Sequence, residues 1–151
     1  MQISPHFSLD ELTRTSTTFP NEPDEASRKR LKLLCDEVLE PLRLLVGPLR
    51  VNSGYRSLEV NKAIGGAKGS QHLRGEAADV VPLNLSAEQA MLILAQAVYR
   101  GEFPTLGQGI IYASGFIHLS IDLPIRPRRE LLRSLADGGS GGPYVVYRPA
   151  K

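Results

Sequence analysis

Two histidines, His72 and His118, and one aspartate, Asp79, are the residues of this chain whose types could do chemistry together. Asp79 lies in the apolar run AADVV, where a carboxylate is a poor strand former and is costly to bury unless it is paired or holds a metal. Seven extended steps would separate His72 from Asp79 by roughly 23 Å. One ion can join them only if the chain folds back, and Gly75 is the residue between them that allows a sharp turn. His118 lies in FIHLSID, where alternation sends Ile117, Leu119 and Ile121 to one face and Phe116, His118, Ser120 and Asp122 to the other. Two imidazoles and a carboxylate, with a fourth position left for water or substrate, make the donor set of a catalytic zinc site. Iron or copper also suits such ligands. A plainer reading stays open on residue types alone: Asp79 pairs with an arginine, and the histidines are ordinary hydrogen-bonding side chains.

The elements that must position these residues follow from periodicity and punctuation. SLDEL carries a capping box, Ser8 with Glu11, that opens a short helix, and TSTTFPNEP reads as a loop. From Asp24 the apolar residues Leu31, Leu34, Cys35, Val38, Leu42 and Leu45 recur at three- and four-residue steps, the pattern of an amphipathic helix that Pro41 must kink or divide. LRVNSG reads as a strand, and SLEVNKAI as a helix capped by Ser57 and stopped by Gly65 and Gly66. AADVV is a strand buried on both faces, SAEQAMLILAQAVYR a helix with Ser86 and Gln89 as its capping box, and GIIY and FIHLSID two strands of a hairpin. A glycine-rich loop at 138–142 precedes a last strand, YVVY. The expected fold is α+β: a small antiparallel sheet with helices packed on one side, in a single domain spanning 1–151, with 1–23 as an N-terminal helix and loop arm.

The totals narrow the classes. At 151 residues and 16.5 kDa the chain has the size of one domain. Its 42% hydrophobic and 23% charged residues are ordinary globular shares. A net charge of +2, with no basic run interleaved with aromatics, makes no case for nucleic acid. No apolar run approaches the ~18 residues that would insert into a membrane. The single cysteine, Cys35, excludes an internal disulfide framework and reads as a core thiol. His6 reads as a surface or packing residue, and RPRR at 126–129 as a solvated basic turn.

Three segments in order, SGYRS at 53–57, SQHLRGEAAD at 70–79 and FIHLS at 116–120, resemble the zinc D-Ala-D-Ala carboxypeptidase and endopeptidase family, peptidase family M15, and most of all its phage- and prophage-type members. The resemblance runs from SPHFSLDELTRT through about residue 122. It implies one zinc ion on His72, Asp79 and His118. It also implies that Arg56, which follows SGY, faces the substrate and steadies the peptide or the developing oxyanion, a task suited to a guanidinium. Ser70 and Gln71 become donors at the pocket edge, although Ser70 serves equally as a turn residue. The implied reaction is metal-assisted hydrolysis of peptide bonds in peptidoglycan stem peptides, of D-Ala-D-Ala carboxypeptidase or endopeptidase type. MQISPHFSLDEL lacks the n-region and h-region of a signal peptide. The expectation is therefore cytoplasmic synthesis, with access to the wall through phage lysis or a phage particle.

One feature departs from the family pattern. The acidic general base usually comes a few residues before the second histidine, often three, and that position holds Gly115. The stretch 103–117 contains no acid at all. Glu76, Glu102 and Asp122 are the nearest acids in sequence, and none is assigned as base. The gap motivates an alternative: a non-catalytic zinc module that binds cell-wall peptides or a protein on the same fold.

Overall fold

The computed structural model describes residues 1–122, 127–136 and 141–149. The chain opens with a two-stranded antiparallel hairpin, β1 (Gln2–Ser4) and β2 (Phe7–Ser8), and the short helix α1 (Leu9–Leu12). Ser8 and Glu11 exchange the two bonds of a capping box, as SLDEL suggests. Phe7 and Leu12 are buried in the main core, which ties this opening segment to the rest of the chain.

A proline shapes the next helix. α2 (Glu25–Leu34) starts at the Asp24 cap, runs into a π-helical turn (Cys35–Leu39) and continues as α3 (Glu40–Val46). The ring of Pro41 offers no N–H and crowds the carbonyl one turn back, so the helix widens just ahead of it. There the Glu40 N–H reaches the Cys35 carbonyl, five residues back. The apolar positions legible in the sequence land inside: Leu31, Leu34, Cys35, Val38 and Leu42 are fully buried, whereas Leu45 is 38% exposed. Burial pushes the Cys35 thiol up to about 12, so it is an inert core group. His6 is held at the surface by Glu40, with Nδ1 2.7 Å from the carboxylate.

Six strands form the main sheet. They are β3 (Leu49–Ser53), β4 (Ala77–Pro82), β5 (Leu106–Ile111), β6 (Ile117–Ile121), β7 (Glu130–Ser134) and β8 (Tyr144–Val146). Their order across the sheet is β3-β4-β6-β5-β7-β8. Helix α4 (Leu58–Ala63), capped by Ser57, follows β3, and α5 (Ala87–Tyr99), with its Ser86 and Gln89 capping box, links β4 to β5. The α+β class expected from sequence is the observed one. The sheet is antiparallel throughout except for β5 and β7, which pair in parallel. β7 was not expected as a strand: its sequence ELLRS is half-buried at four of five positions and shows no clean alternation.

Helices α2, α3 and α5 cover one face of the sheet. Met91 and Leu94 of α5 join Ala78, Val80, Ile117, Leu119 and Ile121 in one core with the α2–α3 residues. The opposite face carries Asp79 and His118, as the period-2 pattern requires. Of the glycine-rich loop expected at 138–142, residues 138–140 lie outside the described residues, as does Arg126 of RPRR. Arg128 and Arg129 are not simply solvated. Arg129 donates to the carbonyls of Val98 and Glu102 at the end of α5, at 2.6 and 2.8 Å. Arg128 reaches the groove described below. No helix among the described residues is long and apolar enough to cross a membrane.

Candidate metal centre

Asp79 and His118 meet because their strands are in register. In the antiparallel β4–β6 pair they are direct cross-strand partners, so both side chains leave the same face of the sheet. Asp79 Oδ1 lies 2.8 Å from His118 Nδ1. His72 arrives from a 3₁₀ turn, Gln71–Arg74, which ends at Gly75 in the left-handed conformation with φ +74. The turn brings His72 Nε2 to 3.3 Å from the same carboxylate oxygen. The chain reversal inferred between His72 and Asp79 is therefore made at Gly75. The site tolerates no side chain there, because a Cβ would come within 2.5 Å of the Ser27 carbonyl oxygen.

The three residues offer ligand atoms that all lie within 4.8 Å of one another. His72 is 3% exposed and Asp79 9%. His72 Nδ1 lies 2.7 Å from the Gly54 carbonyl. A carbonyl only accepts, so Nδ1 carries the proton and Nε2 presents its lone pair to the cluster. Burial pushes the His72 imidazole down, against the pull of Asp79, and so favours the neutral form that ligates a metal. Burial alone would push the Asp79 carboxyl up. The hydrogen bond from His118, with the nearby imidazoles, outweighs it and holds the group well below the usual carboxylate range. A buried, ionised carboxylate between two imidazoles fits a divalent cation by charge and donor chemistry.

Arg56 completes this side. Its Nη2 lies 3.4 Å from Asp79 Oδ2, its Nε donates to Ser53 Oγ at 2.9 Å and its Nη1 to Asn61 Oδ1 at 3.3 Å. The pairing of Asp79 with an arginine, posed as the rival of a metal set, is thus present together with the histidine cluster. The backbone on both sides of Arg56 is pinned by Asn21, which donates to the Tyr55 carbonyl and accepts from the Ser57 N–H. Asn21, Asn61 and the Gly54 carbonyl are site residues that sequence reading missed. None has a local pattern that marks it.

Arg56, His72, Asp79 and His118 line an open groove of about 910 Å³. Ser70 and Gln71 lie on its wall. Ser70 Oγ caps the 3₁₀ turn by accepting the His72 N–H at 3.2 Å, so Ser70 is a turn residue that also faces the groove. Gln71 donates to the Ile121 carbonyl and accepts weakly from Arg128, at 3.0 and 3.4 Å. Two of the three acids considered as a base also face the groove. Asp122 is taken by Arg128, which reaches both carboxylate oxygens at 2.8 Å and holds the carboxyl low. Glu76 is held by Arg74 at 2.8 Å and Arg30 at 3.7 Å. Glu102 instead pairs with Arg100 near the end of α5. Gly115, which stands where an acid was expected, has φ +99 in the turn joining β5 to β6, a conformation costly for any other residue.

A family model described as peptidase M15 matches residues 5–120 of the chain. A zinc D-Ala-D-Ala carboxypeptidase of Streptomyces albus G is 32% identical over 108 residues, which cover 69% of this chain and 41% of that protein. The chain therefore matches about two fifths of the length of that relative.

Proposed function

The chain belongs to the peptidase M15 family, and on that premise we propose that it is a zinc-dependent hydrolase of peptide bonds in bacterial cell-wall stem peptides, of D-Ala-D-Ala carboxypeptidase or endopeptidase type. The observation that carries the reading is the convergence of His72, Asp79 and His118 on one face of the sheet, inside an open groove. These three would hold the metal, and its donor set suits one zinc ion. When bound, zinc supplies Lewis-acid polarisation of a carbonyl and makes water acidic enough to attack near neutral pH.

The chain's own residues supply the rest. The Gly54 carbonyl fixes the His72 tautomer. Ser53 and Asn61 hold the Arg56 guanidinium at the groove wall, where it can steady a substrate carboxylate or the negative charge that develops on the scissile carbonyl oxygen. Ser70 and Gln71 border the path of the peptide. The test is direct. Zinc-loaded protein should release D-Ala from soluble pentapeptide muropeptides or split cross-linked ones, and a chelator should stop it. A zinc-loaded protein that leaves both substrates intact contradicts the reading.

A second reading rests on one specific observation: Glu76 and Asp122, the candidate bases that face the groove, are engaged by arginines, and the turn before His118 carries no acid. The chain would then bind zinc and wall peptides without turnover. Ala113→Glu separates the two readings and avoids the conformational strain at Gly115. On the hydrolase reading the parent is already active and the variant changes its rate by less than about tenfold, the lower range for a positioned acid or base being ~100-fold. On the binding reading the parent is inert.

A further inference from the structure

The family match ends at residue 120, but the groove does not. Its wall beyond His118 is aromatic and is finished by the C-terminal strand pair. Tyr112 and Phe116 close the β5–β6 hairpin, with the Tyr112 N–H on the Phe116 carbonyl at 3.0 Å and the rings stacked at 4.4 Å. Phe116, just ahead of β6, is two residues from His118, a step of roughly 7 Å along extended chain. β8, paired with β7, carries Tyr144 to this wall, where its hydroxyl lies 3.1 Å from that of Tyr112.

The direction of this bond can be worked out. Tyr112 is 7% exposed, and its hydroxyl lies against that of Tyr144. The phenol proton needs an acceptor, because a buried hydroxyl seldom goes unpaired. The acceptor at hand is the Tyr144 oxygen. Tyr144 then keeps its own proton, and its side chain, 42% exposed, lines the groove. The order is Tyr112 O–H to Tyr144, and Tyr144 O–H outward into the groove.

We propose that Tyr144 is a substrate-binding hydrogen-bond donor that takes a carbonyl oxygen of a peptide lying across the metal centre, and that Tyr112 is the residue positioning it. The inference rests on the peptidase reading given above and adds Tyr144, which lies outside the region matched to the family, as a specificity element. The two tyrosines act as one unit: Tyr112 sets which way the Tyr144 hydroxyl points, and Tyr144 makes the contact.

The test uses the full zinc-loaded chain with a soluble pentapeptide muropeptide and its cross-linked dimer. Tyr144→Phe should raise KM about 5- to 10-fold, the size of one neutral hydrogen bond, with kcat held within about twofold. Tyr112→Phe should raise KM less, and the double variant should be no worse than Tyr144→Phe alone, because the two changes interrupt one chain of bonds. Zinc content and thermal midpoint should stay at parent values in Tyr144→Phe. Calorimetric titration with the same muropeptides, on zinc-loaded protein, reads the loss as affinity even if turnover is absent. An active or peptide-binding parent whose Tyr144→Phe variant keeps both KM and affinity overturns the inference and leaves the peptidase reading standing. Additive losses in the double variant also overturn it. A parent that neither cleaves nor binds these muropeptides overturns both.

Discussion

The two walls of the groove are built in different ways. The metal side, with His72, Asp79, His118 and Arg56, rests on backbone: a cross-strand register, a left-handed glycine, a carbonyl on His72 and an asparagine clamp on either side of Arg56. The far side, with Tyr112, Tyr144 and Arg128, rests on side chains: the paired hydroxyls of Tyr112 and Tyr144 and the Arg128–Asp122 ion pair. The difference teaches where precision is required. Metal ligands must be preorganised to a fraction of an ångström, whereas a wall that selects substrates can be carried by replaceable side chains.

If that contrast is right, the largest single effect comes from Asp79. It is the residue both histidines approach, and Asp79→Asn removes a charge that the cluster and Arg56 share. Hydrolysis should fall by more than about 100-fold, beyond the upper end of what outer partners of metal ligands cost, with loss of bound zinc. A variant that keeps metal and rate would break the comparison at its strongest point. Gly75→Ala comes next. It combines a positive φ with a close approach to the Ser27 carbonyl, and urea unfolding should show a loss of about 1–3 kcal/mol. Retained stability would mean that the turn adapts and the backbone account fails.

The smallest effect belongs to the strand behind the far side, β7, where it meets α5. Arg133 holds Glu88 against β7, and its hydrogen bonds keep the Glu88 carboxyl below the usual glutamate range. Stability from this pair is present above the ordinary glutamate pKa and is lost as pH falls through the lower folded value. Both side chains are partly exposed, 31% and 40%. Glu88→Gln should therefore cost only about 0.2–1 kcal/mol near neutral pH, and the gap from the parent should close on acidification below the glutamate range. A loss as large as that of Gly75→Ala would erase the contrast between the walls.

Legibility followed the same division. The histidine and aspartate cluster was legible in part because its determinants are local, alternation along β6 for the face of His118 and a glycine between His72 and Asp79 for the reversal, but joining the three as one ligand set took the resemblance to the M15 family. The helix division at Pro41 was legible for the same reason. What escaped depends on residues far apart in sequence. His72 and Gly54 are 18 residues apart, Asn21 and Ser57 36, and Tyr112 and Tyr144 32. No pattern in a window of a few residues marks such partners. β7 escaped because a half-buried strand beside a parallel neighbour loses the alternation that identifies a strand. Gly115 offers the clearest lesson: its absence of charge looked like a missing functional group, and its φ of +99 shows that the turn also demands glycine.

His72, Asp79 and His118 are proposed to hold a metal. Elemental analysis of purified chain, parent beside Asp79→Asn, tests this most directly. The expected result is about one zinc per parent chain, little or none in the variant, and a thermal midpoint that a chelator lowers in the parent alone. A parent that carries no metal, takes none up from zinc solution and melts at the same temperature with or without chelator would contradict it.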